Sequence, residues 1–244
     1  MVLTQDGTYT LFSEKYQQNY HNYKDGALSE TLQKHIIPAF KYINKTDTLN
    51  ILDICFGLGY NTFATIYYIK KHNLKTKINI YSPEIDKTLI ESLQNFNYPD
   101  EFKNIENIIK SIITTYKYKD EQFNIELCII DARDYLDILY KKNIQFNIVY
   151  QDAFSSDVNQ ELWNFEYFTK IAKLLSPNAI ITTYSIATPV RINMYKNNLK
   201  IYQLKYNGKN KSTIASKQTL NDNNLKLIDM EHKLKCQHKL LKTC

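Results

Sequence analysis

The stretch Asn50–Asn61, NILDICFGLGYN, decides how this chain folds. Ile51-Leu52-Asp53-Ile54-Cys55 reads as a buried strand. It runs into a glycine turn, Phe56-Gly57-Leu58-Gly59, and a helix opens at Tyr60-Asn61-Thr62-Phe63. A strand, a glycine turn and a helix start are the parts of a nucleotide cradle. Glycine lets backbone approach a ligand closely, and a helix N-terminus offers free N–H groups and partial positive charge. Two glycines spaced by one residue also arise by chance, so the rest of the chain must decide the reading.

Downstream, strands and helices alternate. Strands are expected at 49–55, 78–81, 125–130, 146–150 and 179–184, with helices over 60–71, 86–95, 101–116, 132–141, 162–175 and 189–199. Such units build a parallel sheet with helices on both faces, and right-handed crossovers put the ligand crevice at the carboxyl ends of the strands. Residues 201–206 and 212–215 are joined by a short Asn207-Gly208 connection, so that pair must be antiparallel. The expected fold is α/β, doubly wound, ending in an antiparallel hairpin. Residues 1–45 form a cap: a hairpin or irregular segment with a turn at Asp25-Gly26, then a helix from Ser29-Glu30 to about Tyr42 with Leu32, Ile36, Ile37 and Phe40 on one face. Residues 46–216 hold the main domain. Residues 217–244 are a basic tail with a weak helical stripe, Leu225, Ile228, Leu234 and Leu240.

The chain has 244 residues, of which 43% are hydrophobic, enough to bury an ordinary core and too many for a disordered chain. The 20 Tyr, beside abundant Lys, Asn and Ile, read as the codon bias of an AT-rich genome rather than as a stacking surface. A net charge of +6 permits a nucleic-acid partner without requiring one. Cys55, Cys128, Cys236 and Cys244 show no C-x-x-C pairing, the pattern of thiols in a reducing compartment. No signal peptide and no bilayer-length apolar stretch is visible, so a cytoplasmic protein with no membrane contact is expected. His232, Cys236 and His238 have ligand-like spacing, but such spacing in a basic chain end is usually accidental, and no metal is expected.

Strand ends carry the chemistry. Glu84 follows strand two, where an acid can accept both ribose hydroxyls of an adenosine; the alternative is a cap on the next helix, and Asp86 is the second candidate. Asp131-Ala132 follows strand three, where an acid can accept an adenine amino group, cap the helix over 132–141, or do both. Asp152 follows strand four, beside the switch point, where a carboxylate can orient an amine or take its proton; a cap or a loop salt bridge is the other reading. Acids after three successive strands, with Gly57 and Gly59 after the first, favour an adenosyl cofactor. The third glycine of a dinucleotide fingerprint is replaced by Thr62, and no Gly-Lys-Ser/Thr loop occurs. Asp53 ahead of the two glycines favours S-adenosyl-L-methionine.

On these motifs the chain resembles the methyltransferase domain of the MnmC family, from about Tyr9 to Ser216. The matching stretches are Thr10-Leu11-Phe12-Ser13-Glu14, Asp25-Gly26-Ala27-Leu28-Ser29-Glu30-Thr31, Phe56 to Asn61, Glu84, Asp131-Ala132-Arg133 and Asp152-Ala153-Phe154. The most specific are Asn159-Gln160-Glu161-Leu162-Trp163, Thr183-Tyr184 with Val190-Arg191, and Gly208-Lys209-Asn210-Lys211. The family usually has Gly where Cys55 stands and Pro where Gln160 stands.

The resemblance implies a class I S-adenosyl-L-methionine-dependent methyltransferase, Rossmann-like, with a seven-stranded sheet and terminal antiparallel hairpin. It implies a cofactor site at Asp53, Gly57, Gly59, Asn61, Glu84, Asp131, Ala132 and Asp152. Asp152 and Phe154 would serve catalysis. Trp163 would stack on the substrate base or else be core; Arg191, Lys209 and Lys211 would touch phosphates or else form a solvated basic edge. The implied reaction N-methylates 5-aminomethyluridine, 2-thiolated or not, at wobble position 34 of a tRNA anticodon stem-loop. A stand-alone form is expected, since no second glycine fingerprint for FAD is present. An aminopropyltransferase resembling spermidine synthase shares the sheet, the Glu84-Ile85-Asp86 and the Asp131-Ala132 motifs. A non-catalytic tRNA binder is the third reading, suggested by Cys55.

Overall fold

The computed structural model describes residues 1–44, 46–206 and 210–242. Among them, nine strands form one mixed sheet: β1 (Thr48–Ile54), β2 (Lys77–Glu84), β3 (Lys117–Lys119), β4 (Phe123–Ile129), β5 (Phe146–Gln151), β6 (Leu175–Thr183), β7 (Lys200–Tyr206), β8 (Asn210–Ser216) and β9 (Leu225–Leu227). Their spatial order is β9-β7-β8-β6-β5-β1-β2-β4-β3. The five strands from β6 to β4 are mutually parallel. β8, β7 and β9 continue antiparallel on one side and β3 on the other. The expected seven strands are therefore all present, with the closing hairpin. Two three-residue edge strands, β3 and β9, extend the sheet to nine; both are too short to show a period.

Consecutive residues of the central strands point to opposite faces and bury both. Ile51 and Ile148 face one core, shared with Phe63, Ile66, Ile109 and Ile112. Leu52 and Val149 face the other, shared with Leu136, Phe168, Ile171 and Ile192. Each such side chain contributes about 1.5–3 kcal/mol by leaving water, which locks the register against a one-residue slip. Eight helices are described. α1 is compound, Ala27–Thr31, Leu32–Ile36 and Ile37–Tyr42, with a π turn in its middle piece. The others are α2 (Tyr60–Lys71), α3 (Lys87–Ser92), α4 (Glu106–Thr115), α5 (Ala132–Lys141), α6 (Phe165–Leu174), α7 (Thr188–Tyr195) and α8 (Met230–Lys242).

The π turn has a visible cause. Pro38 has no N–H to give the Lys34 carbonyl, and the Ile37 N–H reaches back to Leu32 O instead. The widened turn buries Lys34, His35 and Ile36 in succession and leaves Ile37, expected on the apolar face, exposed. The basic tail is ordered as β9 on β7 and then α8, whose start is anchored by buried Met230. The Gly208-Lys209 part of the closing turn lies outside the described residues. No described helix is long and apolar enough to cross a membrane.

The first reversal of strand order falls at β1, which has β2 on one side and β5 on the other. The register Ile54↔Gln151 sets the loop after β1 beside the loop after β5. A crevice between those two loops follows from the topology alone.

Candidate active site

A cavity of about 1160 Å³ opens at the carboxyl ends of β1, β2, β4 and β5, roofed by the N-terminal segment from Phe12 to Lys24. Its floor is the turn after β1. Gly57 (φ 54°) and Gly59 (φ 77°) both take the left-handed conformation. A Cβ on Gly59 would stand 2.5 Å from the Phe63 ring, and one on Gly57 would stand 3.2 Å from Tyr20. Cys55 is also left-handed, at φ 65°, where a side chain is strained; its thiol lines the cavity and burial pushes it upward.

Glu84 ends β2 and is 8% exposed. Its Oε2 accepts the Gly57 N–H at 2.8 Å, and its Oε1 accepts those of Ile85 (2.8 Å) and Asp86 (2.9 Å). Burial raises this carboxyl, and the three donors only partly offset it. Its role as a helix cap falls instead to Asp86, which accepts from Leu89 N. Asp131 caps α5 by accepting from Arg133 N, and Arg133 also grips both its oxygens (Nε 3.0 Å, terminal nitrogen 2.6 Å). That hydrogen-bonded guanidinium holds Asp131 below the usual carboxylate range.

Asp152 stands across the cavity from this wall, 22% exposed. Its Oδ2 accepts from Asn61 Nδ2 at 2.8 Å, and its Oδ1 lies 3.3 Å from His35 Nε2. Burial works to raise the Asp152 carboxyl, but the imidazoles of His35 and His21 and the Asn61 amide outweigh it, so it is held low and ionised. Phe154, two residues on, is stacked on Tyr16 (centroids 4.4 Å) and edge-on to Tyr20 (4.9 Å). Gln18 Nε2 donates to Ser155 Oγ at 2.8 Å, tying the roof to the same loop.

Of the residues singled out by sequence, Gly57, Glu84, Asp131, Ala132, Asp152 and Phe154 line the cavity together. Others do not. Gly59 lies beneath it as the left-handed N-cap of α2. Asn61 is buried behind the wall and donates to Asp152. Asp53 is fully buried below the turn, accepting from Thr62 Oγ1 at 2.8 Å, with Oδ1 lacking a partner among the described residues. Trp163 is 2% exposed and cannot stack on a base; its indole N–H donates to Phe154 O at 2.7 Å. Arg191 is 7% exposed, donates to Thr213 Oγ1, and is too deep to meet a phosphate. Lys211 is exposed on β8, near where β8 pairs with the carboxyl end of β6, so it sits on the cavity's edge of the sheet. Lys209 lies outside the described residues. No cluster of metal ligands occurs among the described residues; Cys236 and His232 touch on α8, and nothing is described of the His238 side chain. Sequence reading missed His35, His21, Tyr16 and Tyr20. Only Pro38, inside a helical pattern, signalled that α1 would deform beside His35.

The cavity suits a sulfonium nucleoside. Glu84 has its backbone donors on the protein side and offers acceptors for a diol. Backbone approaches closely at Gly57. Asp152 supplies negative charge toward a cation. The volume also exceeds that of a usual small-ligand pocket, leaving room for a second substrate.

Residues 71–219 match the family of S-adenosyl-L-methionine-dependent methyltransferases. An uncharacterized protein of Methanocaldococcus jannaschii is 31% identical over 78% of this chain and 51% of its own length. The tRNA 5-methylaminomethyl-2-thiouridine biosynthesis bifunctional protein MnmC of Campylobacter jejuni is 26% identical over 80% of this chain and 33% of its own. The chain thus spans about half and a third of those relatives. The crystal structure of MnmC2 from Aquifex aeolicus superposes with TM-score 0.79 at 27% identity, covering 89% of this chain and 70% of that one. A probable spermidine synthase from Corynebacterium glutamicum, at TM-score 0.51 and 12% identity, shares the fold. A buried acid over a glycine turn, in a chain so related, leads to one assignment: the protein belongs to the S-adenosyl-L-methionine-dependent methyltransferases, its domain is of the MnmC kind, and S-adenosyl-L-methionine is its cofactor.

Proposed function

We propose that this protein methylates the amine of 5-aminomethyluridine, with or without 2-thiolation, at the wobble position of tRNA. The observation that carries the reading is the Asp152-Ala153-Phe154 segment on the cavity wall, held by Asn61 and Trp163, in a chain similar to MnmC. S-adenosyl-L-methionine supplies a methyl group on a positively charged sulfur. Glu84 accepts the ribose hydroxyls, and Asp131 and Ala132 border the adenine. Asp152 accepts N–H bonds from the substrate amine and aims its lone pair, which is the alignment a direct transfer needs. Phe154, fixed from behind by Trp163, seats the uracil ring. Lys211 offers a phosphate contact.

The test incubates the protein with S-adenosyl-L-methionine and tRNA bearing 5-aminomethyluridine, then digests the tRNA for nucleoside mass spectrometry. The expected product is 5-methylaminomethyluridine. A parallel arm supplies putrescine and the decarboxylated cofactor. Product in that arm alone would make the protein an aminopropyltransferase, and cofactor binding with no product in either would leave a tRNA binder.

A further inference from the structure

Phe154, the seat offered above to the substrate base, already carries a ring on one face. Tyr16 is stacked on it with centroids 4.4 Å apart and planes 26° from parallel. Carbon atoms in contact lie about 3.5–4 Å apart, so a flat base between the two rings needs them about 7–8 Å apart. The gap must widen by about 3 Å to admit one. Among the described residues the other ring against Phe154 is Tyr20, which meets it edge-on. Tyr20 also lies over the glycine turn, 3.2 Å from where a Cβ on Gly57 would stand, so that side belongs to the cofactor floor. The way in for a base is the Tyr16 face.

The two rings are mounted unequally. Phe154 O accepts from the Trp163 indole at 2.7 Å and Ala153 O from the Tyr184 hydroxyl at 2.8 Å, so their loop is pinned from beneath. Tyr16 sits in the turn 14–17, between the two-residue strands Phe12–Ser13 and Gln18–Asn19. A hairpin that short is marginal by itself. Gln17 in its turn is left-handed, at φ 52°, and Gln18 ties it to the loop through Ser155 (2.8 and 3.4 Å). Tyr16 is therefore the ring that yields. Lys15 Nζ lies 4.9 Å from the Tyr16 ring centroid, so the same turn carries a cation for the phosphate of an inserted nucleotide.

We propose that Tyr16 and Phe154 are the two halves of a base clamp, closed on each other as they stand in the fold, and that the substrate uracil enters between them and is stacked on both faces. This rests on the tRNA reading above. Opening gives up the Tyr16–Phe154 pair and gains a base on Tyr16. A base stack outweighs a ring pair, so Tyr16 improves base binding by a factor of about 3–30. Stacking takes any base, so the clamp supplies grip and the choice of an amine falls to Asp152.

The experiment crosses the protein with the base. Wild type, Tyr16→Phe and Tyr16→Ala are titrated, with S-adenosylhomocysteine present, against tRNA bearing 5-aminomethyluridine and against the same tRNA abasic at that position. Wild type should prefer the base-bearing tRNA. That preference should shrink about 3–30-fold in Tyr16→Ala and be kept within about twofold in Tyr16→Phe, because a phenyl ring still stacks. Affinity for the abasic tRNA and for S-adenosylhomocysteine should stay within about twofold in both variants. A ring that only fastens the roof would weaken both tRNAs alike. Equal weakening of both, weakening of neither, or no base preference in wild type overturns the clamp. Methyl transfer by wild type, measured alongside, then leaves the enzyme reading standing; no transfer removes both. A crosslink on wild type serves if Tyr16→Ala does not fold. Under ultraviolet light, 5-bromouridine at the wobble position should join peptides holding Tyr16 or Phe154, and crosslinks only elsewhere overturn the proposal.

Discussion

Asp53→Asn should stabilise the protein at alkaline pH. Asp53 is fully buried, accepts one hydrogen bond from Thr62, and has Oδ1 unpartnered among the described residues. Burial, with a contribution from Asp152, pushes its carboxyl from 3.8 up to about 7. Between those values the unfolded chain has released this proton and the folded chain keeps it. Stability from this group therefore falls as pH rises, by about 1.4 kcal/mol per pH unit across the window. The ceiling is about 4 kcal/mol by pH 8, and relaxation around the charge brings the expected gain to about 2–4 kcal/mol. An asparagine keeps an acceptor for Thr62. It also puts a donor near Asn61, a hydrogen-bonding neighbour whose own Oδ1 is buried without a partner among the described residues. Thermal melts without added cofactor should place the variant near wild type at about pH 4 and roughly 5–15 °C above it at pH 8. A difference that does not grow with pH, or a variant weaker at both, would show that Asp53 is charged and paired in the fold, and the reasoning would be wrong.

Cys55→Gly should raise Tm by a few degrees, since relieving a left-handed side chain is worth about 1 kcal/mol; a lower Tm would mean the thiol's packing outweighs its strain. Glu84→Gln turns an amide N–H toward the Gly57 N–H and removes one acceptor from the cavity. Calorimetry should show cofactor binding weakened about 10–100-fold, and unchanged affinity would take the ribose contact away from Glu84. Asp152→Asn should lower turnover by about 100-fold or more with cofactor Kd nearly unchanged, read by single-turnover kinetics beside calorimetry; parallel losses in both would make Asp152 a cofactor ligand only.

The fold was legible in the sequence because each central strand buries both faces and so reads as a mainly apolar run, broken only by Asp53 in Ile51–Ile54 and Asn147 in Phe146–Tyr150. Strand two was cut short by Pro83, which lacks an N–H, yet β2 continues to Glu84. It can do so because the Pro83 carbonyl still accepts from Phe56 N at the strand's last rungs. That extension sets the Glu84 side chain at the lip of the cavity. The acids at strand ends were legible because topology alone carries them to one edge. What surrounds them was not, since it depends on sequence-distant contacts: Tyr16 on Phe154, Gln18 on Ser155, and His35 between Thr182 and Asp152. Trp163 and Arg191 show the reverse failure. Trp163 is buried because a large side chain beside the Asp152–Phe154 loop also holds that loop still, and Arg191 is buried against Thr213 of β8. The Trp163 indole N–H matters to the site through the Phe154 carbonyl it fixes.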